Sequence, residues 1–305
     1  MGALEGKVAV VTGSGRGIGK AAAVYLAREG ARVVVNDPGG SVSGAGEDPD
    51  VAERAAEEIR DAGGEAVASR ESVATWEGAS RIVQTAVERF GKIDILVNNA
   101  GILTDRPIWQ MNEDEWDAVV NVHLSGSLYC ASAAIPHMRA QRWGRLIFMS
   151  STAGFIGTLS QANYGAAKMG LLGLSRSLAL ELRRWNITSN CIAPFAWTRI
   201  PAAVQVPNEQ MREIVDRLFK GMTPEHVAPL VVFLASDAAR RITGQVLGVR
   251  GKEIYLFSQP AVVRSLHRSA GWDPEEISRV LEPTFKPHFT PLDNSATFFT
   301  WPALL

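Results

Sequence analysis

Residues 12–19 read TGSGRGIG and stand between a β-branched run, Lys7–Thr12, and a segment with helical periodicity. Glycines let the backbone turn tightly and approach a pyrophosphate, whose charge then meets the positive end of the helix dipole. The pattern G-x-G-x-x-G does not fit this stretch, whereas T-G-x-x-x-G-x-G does. We therefore expect a strand, a phosphate-binding turn and a helix in succession. The residues expected to contact a dinucleotide here are Gly13, Arg16, Gly17, Ile18 and Gly19.

Outward from this turn, short apolar runs alternate with helical segments as far as residue 252. A helix is predicted at Val51–Ala62, after a loop rich in Gly, Pro and Ser. Further strands are predicted at Arg32–Asn36, Ala66–Ala68, Ile93–Val97, Arg145–Ser150, Thr188–Ile192 and Gln245–Val249. Such alternation is typical of an α/β fold in which each crossover lays a helix on a parallel sheet. The prediction for residues 1–252 is a single Rossmann-type doubly wound parallel sheet with helices on both faces.

Residues 253–305 interrupt this rhythm and are predicted to be a C-terminal extension. Asp273 and Pro274 are typical of a helix start, as N-cap and first helical residue. The extension also carries more apolar side chains than a solvent-exposed segment usually does. We therefore expect it to support a dimer and to complete a substrate pocket. Its larger apolar side chains include Tyr255, Phe257, Trp272, Phe285, Phe289, Phe298, Phe299 and Trp301.

Asp37 ends the second predicted strand, 24 residues after Gly13. A carboxylate at this position accepts hydrogen bonds from the hydroxyls of an adenosine ribose and repels a 2′-phosphate. Arg16 favours the opposite choice, because a basic side chain in the turn attracts that phosphate. Since Asp37 lies closer to the expected 2′ position, the sequence predicts NAD rather than NADP as cofactor.

Tyr164 and Lys168 are spaced i, i+4 and therefore share one face of a predicted helix. Ser151 stands 13 residues before Tyr164, at the end of a predicted strand, where open α/β sheets bind ligands. A free tyrosine has a pKa of about 10, and a neighbouring ammonium together with a positive nicotinamide ring favours its phenolate. Tyr164 would then take the proton of a substrate alcohol while hydride leaves the carbon. Ser151 would donate a hydrogen bond to the same oxygen.

Composition argues against several other classes of protein. The 305 residues carry a net charge of -1, and 46% of them are hydrophobic, as in an ordinary globular protein. Nucleic acid or an anionic membrane would need concentrated positive charge, so neither is an expected partner. Cys130 and Cys191 stand alone in apolar stretches, which predicts buried thiols and no metal site. With no secretory leader or peroxisomal signal recognised, the expected location is cytoplasmic.

The motifs, in this order, resemble those of the short-chain dehydrogenase/reductase family from about residue 5 to residue 252. They are the glycine turn, Asn98-Asn99-Ala100-Gly101, Ser151, Tyr164-x-x-x-Lys168, Ile192-Ala193-Pro194 and Ile242-Thr243-Gly244-Gln245. The resemblance implies an oxidoreductase that uses a nicotinamide cofactor. It places Asn99 on the adenosine side, Lys168 on the nicotinamide ribose and Thr198 near the carboxamide.

The chain departs from the family pattern at several positions, among them Phe195 in place of the glycine usual after Pro194 and Arg250-Gly251-Lys252 in place of Asp-Gly-Gly. Two further departures concern expected site residues. Where the family carries a catalytic asparagine that anchors a water, this chain has His123, three residues before Gly126. Histidine can also hold a water, and it would add a titration near neutrality. Where an aspartate commonly faces adenine, this chain has Glu71, followed by Ser72. The resemblance therefore adds His123 to the expected catalytic residues, and Glu71 and Ser72 to the expected cofactor contacts.

Several segments resemble one subgroup of the family, the dehydrogenase domain of peroxisomal multifunctional enzyme type 2. They include Asn36-Asp37-x-Gly39-Gly40, Val122-His123-Leu124 and Gln161-Ala162-Asn163-Tyr164. This resemblance implies oxidation of (3R)-hydroxyacyl-CoA thioesters with NAD, and a C-terminal extension that supports a dimer. A role in lipid metabolism and a homodimer or homotetramer are therefore expected.

Two other functions stay open. One is a dehydrogenase of a free secondary alcohol, such as a hydroxysteroid or a terpenoid, and the other is a catalytically silent NAD-binding scaffold. The intact Ser151, Tyr164 and Lys168 argue against the scaffold. A set of apolar side chains predicts a pocket for an apolar small molecule. These are Trp109, Phe155, Phe195, Trp197, Ile200, Val204 and Val206.

Overall fold

The computed structural model describes residues 2–44, 46, 48–196, 209, 221–295, 298–300 and 303–304. Within these residues, eight strands form one sheet. They are β1 Val8–Thr12, β2 Arg32–Asn36, β3 Ala66–Ser69, β4 Ile95–Asn98, β5 Gly144–Met149, β6 Ile187–Phe195, β7 Val246–Arg250 and β8 Glu253–Leu256. The strand order is β3-β2-β1-β4-β5-β6-β7-β8, and all pairs are parallel except the antiparallel pair of β7 and β8. The predicted Rossmann-type parallel sheet is confirmed.

Helices cover both faces of this sheet. In the described residues they are α1 Gly17–Arg28, α2 Val51–Asp61, α3 Trp76–Phe90, α4 Glu113–Val120, α5 Gly126–Gln141, α6 Thr152–Phe155, α7 Ala162–Leu182, α8 Ala228–Ala235 and α9 Pro274–Phe285. A π-helix, Asn121–Ser125, joins α4 to α5. Short 3₁₀ turns lie at Arg183–Trp185, Pro224–His226, Asp237–Ala239 and Lys286–His288.

The sheet divides the apolar core into two layers. Val8 and Val10 of β1 pack with α3, α5 and α7, whereas Ala9 and Val11 pack with α1, α2 and α8. Successive side chains of a strand point to opposite faces, so a strand covered on both sides is apolar at every position. This explains why β1 reads as an unbroken β-branched run.

The order in which strands are added to the sheet reverses at β1. After β3 at one edge, the chain crosses to β4 on the other side of β1. The loops at the carboxyl ends of β1 and β4 therefore diverge and leave a crevice between them. In open α/β sheets this switch point is where ligands bind, and it lies beside the glycine turn.

Strand β8 differs from the prediction, which expected little strand structure after residue 252. Gly251 has a φ of +59° and allows a tight turn, after which Arg250 pairs with Glu253 and Leu247 with Leu256. Ile254 and Leu256 are exposed, while Glu253 and Tyr255 on the other face are half-buried. Because apolar side chains stand on the exposed face and a charged one on the inner face, the usual alternation gave no signal of a strand. The predicted helix start in the extension is confirmed, with the Asp273 side chain accepting from the Glu276 N–H at 2.9 Å.

One continuous helical stretch, Glu113–Gln141, is long and apolar enough to cross a membrane by length and composition alone. It comprises α4, the π-helix and α5. Cys130, Ala134 and Met138 on its inner side are fully buried in the core layer beside α3 and α7. Core helices of globular proteins satisfy the same criterion, so length and composition are weak evidence of a membrane span.

Candidate active site

The glycine turn between β1 and α1 brings three segments of backbone into close contact. Gly13 has a φ of +62°, and a Cβ there would stand 2.7 Å from the Cα of Ala100. A Cβ on Gly19 would stand 2.3 Å from the carbonyl oxygen of Gly13. Helix α1 begins after Arg16 with no side-chain cap and no acidic residue in its first turn. Its first N–H groups are therefore available to an anion.

A cavity of about 650 Å³ opens beside this turn. Its volume is within the range of small-molecule and cofactor sites. The structure brings most of the expected site residues to its wall. Those that line it are Gly13, Arg16, Gly17, Ile18, Asp37, Ser72, Asn99, His123, Tyr164 and Lys168.

Three expected residues are placed otherwise. Gly19 lies beneath the turn, against Gly13. Glu71 does not line the cavity and instead forms an ion pair with Arg81 at 3.4 Å. Ser151 is not among the lining residues, although the preceding Ser150 is. Thr198 falls outside the described residues.

Asp37 is fixed at the end of β2 by backbone donors. Its Oδ2 accepts from the N–H of Gly15 at 3.0 Å, and its Oδ1 accepts from the N–H of Gly39 at 2.8 Å. The side chain is buried yet lines the cavity. The two peptide donors fix the orientation of the side chain, so Asp37 presents a fixed acceptor at this end of the cavity.

Asn99 ties β4 to the glycine turn. Its Nδ2 donates to the carbonyl oxygens of Thr12 and Gly13, both at 2.9 Å. Its N–H donates to the Thr12 hydroxyl at 3.0 Å. Asn99 therefore holds the two sides of the switch point together, and its contacts support the expected position beside the dinucleotide.

Ser151, Tyr164 and Lys168 come together at the carboxyl end of β5. Ser151 follows this strand directly, and its hydroxyl accepts from the N–H of Ala153 at 3.2 Å. Tyr164 and Lys168 project from α7, and the Lys168 Nζ lies 5.5 Å from the centroid of the Tyr164 ring. The i, i+4 spacing thus places phenol and ammonium on one side of the cavity, and the Ser151 hydroxyl is hydrogen-bonded to the phenol.

The pKa of Tyr164 differs from the expectation that a neighbouring ammonium lowers it. Burial raises the pKa of Tyr164, and the charge of Asp105 adds to the rise, while the Ser151 hydroxyl opposes it. Burial lowers the pKa of Lys168 to about 7. The reason is shared desolvation, since a low-dielectric site penalises the charged form of both groups. The Lys168 Nζ donates to the carbonyl of Met149, which holds it in place.

His123 is buried in the π-helix and lines the same cavity. Its ring meets the Tyr164 ring edge-on, with centroids 5.2 Å apart. Its Nε2 lies 2.7 Å from the carbonyl oxygen of Ile102, and its Nδ1 has no protein partner among the described residues. Burial, and then the charge of Lys168, holds the pKa of His123 well below its usual value. The expectation that it titrates near neutrality is therefore wrong, because burial penalises the charged imidazolium and the Lys168 charge adds to this penalty.

The aromatic side chains expected at a substrate pocket are arranged differently. Trp109 is 81% exposed and does not reach the cavity. Phe155 packs on Phe257 with ring centroids 4.7 Å apart, and Phe195 packs on Phe299 at 5.1 Å. Both contacts bring the C-terminal extension to the carboxyl end of the sheet. The four remaining residues of that set lie between 197 and 208, outside the described part of the chain.

Sequence reasoning missed Asn163, the residue before Tyr164. Its side chain is fully buried, and its Oδ1 accepts from the N–H of Tyr164 at 2.8 Å. Its Nδ2 donates to the carbonyls of Thr104 at 3.2 Å and Glu115 at 3.0 Å. An amide in the first turn of an otherwise apolar helix face was the available signal. Asn163 positions the start of α7, and with it Tyr164.

These residues fit a nicotinamide dinucleotide. The close-packed glycine turn leaves the α1 N-terminus open for a pyrophosphate, and Asp37 stands where a ribose diol would lie. Lys168 and Tyr164 stand at the other end of the same cavity. Within the described ranges, no three His, Cys, Asp or Glu side chains are grouped so as to hold a metal ion.

Comparison with known proteins gives the same class. A family model described as short chain dehydrogenase matches residues 7–202. A crystal structure of a short chain dehydrogenase from Mycobacterium avium superposes with a TM-score of 0.83 at 40% identity, covering 96% of this chain and 99% of that one. The chain belongs to the short-chain dehydrogenase family and is an oxidoreductase enzyme, as predicted. The family uses a nicotinamide cofactor.

Two relatives bear on the subgroup. Peroxisomal multifunctional enzyme type 2 of Drosophila melanogaster is 44% identical over 234 residues, which are 77% of this chain but 37% of that enzyme. A hydroxyacyl-CoA dehydrogenase of Mycobacterium tuberculosis is 39% identical over 293 residues, covering 92% of this chain and 89% of that protein. The predicted resemblance to the multifunctional enzymes is confirmed, although the chain spans little more than a third of the Drosophila enzyme.

Proposed function

We propose that the chain is an NAD-dependent dehydrogenase that interconverts the secondary alcohol of a (3R)-hydroxyacyl-CoA, or a similar bulky apolar thioester, with its ketone. The observation that carries the reaction type is that Tyr164 and Lys168 line a cavity that also includes the glycine turn, with the Ser151 hydroxyl hydrogen-bonded to the phenol. A scaffold that merely binds the cofactor would not need a phenol, an ammonium and a hydroxyl at one end of it.

The proton side of the reaction belongs to Tyr164. In the oxidising direction its phenolate takes the hydroxyl proton of the substrate, as the carbon–hydrogen bond gives up hydride. A bound nicotinamide supplies the hydride acceptor, and its positive charge favours the phenolate. Ser151 donates a hydrogen bond to the substrate oxygen, and Lys168 holds the nicotinamide ribose. The pKa of Lys168, about 7, lets it pass a proton on near neutrality.

The choice of NAD rests on Asp37. Its carboxylate is held by the N–H groups of Gly15 and Gly39 and lines the cavity beside the turn. A ribose with two free hydroxyls can donate to it, whereas a 2′-phosphate would place negative charge against negative charge. Asp37 therefore favours NAD over NADP.

The substrate class rests on relatives and on the apolar end of the site. The hydroxyacyl-CoA dehydrogenase of Mycobacterium tuberculosis matches 92% of the chain, including most of the C-terminal extension. Pro194 lines the cavity, and the next residue, Phe195, contacts Phe299 at the carboxyl end of the sheet. We take this apolar contact beside the cavity as support for an acyl chain.

A substrate comparison with NAD tests this proposal. We expect (3R)-hydroxyacyl-CoA thioesters to give a higher kcat/KM than their (3S) epimers, free hydroxysteroids or terpenols. A higher value for a free hydroxysteroid would support the alternative function. Absence of turnover with every secondary alcohol, despite NAD binding, would support the silent scaffold.

The proposal extends to a homodimer or homotetramer in the cytoplasm. The support for an oligomer is helix α9, which has no buried residue. Trp272, Ile277 and Leu281 on and beside it are each about two-fifths exposed, and an apolar stripe of this kind usually meets a partner.

A further inference from the structure

The loop between β2 and α2 carries a carboxylate that pairs with the glycine turn. The Oδ2 of Asp48 accepts from the guanidinium of Arg16 and, at 2.7 Å, from that of Arg54. Arg16 immediately precedes α1 and lines the cavity. Arg54 lies on α2 and is more than half exposed. Asp48 thus engages the one arginine of the turn although it does not line the cavity itself.

The loop backbone sets the position of Asp48. Its N–H donates to the carbonyl of Gly39 at 3.1 Å, and its own carbonyl accepts from the N–H of Val51 at 3.1 Å. Gly39 has a φ of +88°, and a Cβ there would stand 2.3 Å from the Asp48 carbonyl oxygen. This close approach requires glycine at position 39. The backbone of the loop therefore fixes the position of the Asp48 carboxylate, and Arg16 pairs with it in that position.

The carboxylate of Asp48 stays ionised. The hydrogen bond from Arg54 contributes most to lowering its pKa, and the charge of Arg16 contributes in the same direction. Asp37 lines the same cavity and accepts from the N–H of Gly15, the residue before Arg16, so it adds a second carboxylate. The positive charge of Arg16 is therefore balanced within the protein before any ligand arrives.

We propose that Asp48 is a second determinant of cofactor choice, acting by withholding Arg16 from the 2′-phosphate of NADP. Of the described residues that line the cavity, Arg16 and Lys168 carry the only Arg or Lys side chains, and Lys168 belongs to the catalytic end. A 2′-phosphate would have to break the Arg16–Asp48 pair and add its charge beside two carboxylates. The inference rests on the proposed use of NAD, and it explains how an arginine in the turn is compatible with that use.

The test is a double-mutant cycle read by calorimetric binding of NADP and NAD. Asp48→Ala is expected to strengthen NADP binding by roughly fivefold, the scale of a partly exposed ion pair, and to leave NAD binding nearly unchanged. In an Arg16→Ala background the same substitution should have no effect on NADP, because the guanidinium that it releases is gone. If melting shows that alanine loosens the loop, Asp48→Asn removes the charge and keeps an acceptor.

Asp50→Ala is the matched control. It removes the same charge from the same loop, where Asp50 pairs with the exposed Arg70 at 3.3 Å, and NADP binding should not change. Unchanged NADP binding in Asp48→Ala would overturn the inference, as would an equal gain in Asp50→Ala or in the Arg16→Ala background. The wild-type ratio of NAD to NADP affinity tests the proposed cofactor separately, so either proposal can fail alone.

Discussion

Gly101 lies so close to the ring of His123 that a Cβ on the glycine would stand 2.4 Å from the histidine Cε1. Gly101 belongs to the loop after β4, and His123 to the π-helix between α4 and α5. The Nε2 of His123 reaches the next residue of that loop, Ile102, at 2.7 Å from its carbonyl oxygen. The pair therefore fixes how the loop approaches the Tyr164 ring, which His123 contacts edge-on.

Gly101→Ala should displace the His123 ring and lower kcat, with a loss of stability of about 1–3 kcal/mol typical of overpacking. Gly173→Ala on α7 is the control, because a Cβ there meets nothing within 4 Å. Steady-state kinetics and denaturant unfolding of both variants give the comparison. Full activity in Gly101→Ala would mean that the His123 ring moves without consequence.

His123 should stay neutral across the working range of pH. Burial and the charge of Lys168 hold its pKa well below the usual value, so its protonation state does not change between about pH 6 and 8. The kcat profile of His123→Asn should then have the same shape as that of the wild type, even if its height is lower. An inflection near the ordinary histidine pKa that disappears in the variant would contradict this expectation.

Lys168 should make the stability of the ligand-free protein depend on pH. Its pKa is about 7 in the fold against 10.5 for the free side chain. Between these values the unfolded chain binds the proton and the folded chain does not, so stability rises with pH. The rise from this group approaches about 1.4 kcal/mol per pH unit. Lys168→Met should show a flatter slope from about pH 7 to 8.5, below the cysteine pKa. Equal slopes in denaturant unfolding would mean that Lys168 remains charged.

The C-terminal tail should affect substrate binding, since it reaches the residue after Ser151. The N–H of Ser295 donates to the carbonyl of Gly157 at 2.7 Å, and its hydroxyl is hydrogen-bonded to that of Thr152. Ser295→Ala should raise the substrate KM by roughly threefold to tenfold, the worth of one hydrogen bond, with NAD affinity unchanged. Ser269→Ala, at an exposed position of the same extension, is the control.

A truncation after Lys252 is a less specific test of the same extension. It would also remove β8, which pairs with β7 along four residues, so lost activity could reflect a damaged sheet. If Ser295→Ala leaves the substrate KM unchanged, the tail contact has no role in the substrate pocket.

Local patterns made much of the fold predictable. Every residue of β1 is buried between two helical layers, so the strand is visible as a continuous apolar run. Asp273 and Pro274 mark a helix start through bonding that involves four consecutive residues. The family and the position of the site could be predicted because they depend on short-range features of the sequence and on the order of the motifs around Tyr164.

What the sequence did not predict depends on distant residues. Arg16 and Asp48 are 32 positions apart and meet because of how one loop folds back. The rise in the pKa of Tyr164 comes from burial created by several elements together. The spacing along α7 predicts that Tyr164 lies beside Lys168. It does not reveal how deeply both groups are buried, and this shared desolvation changes both pKa values.

Tyr164→Phe tests the central claim most directly, because it removes the one phenol placed to exchange the substrate proton. Tyr129→Phe is the matched control, since Tyr129 does not line the cavity and contacts Trp76 at 5.1 Å. With NAD and the best secondary alcohol, kcat of Tyr164→Phe should fall by ~10²–10⁴, while NAD binding stays within a few-fold and Tyr129→Phe keeps wild-type turnover. Near-normal kcat in Tyr164→Phe would contradict the assignment of the proton to this tyrosine.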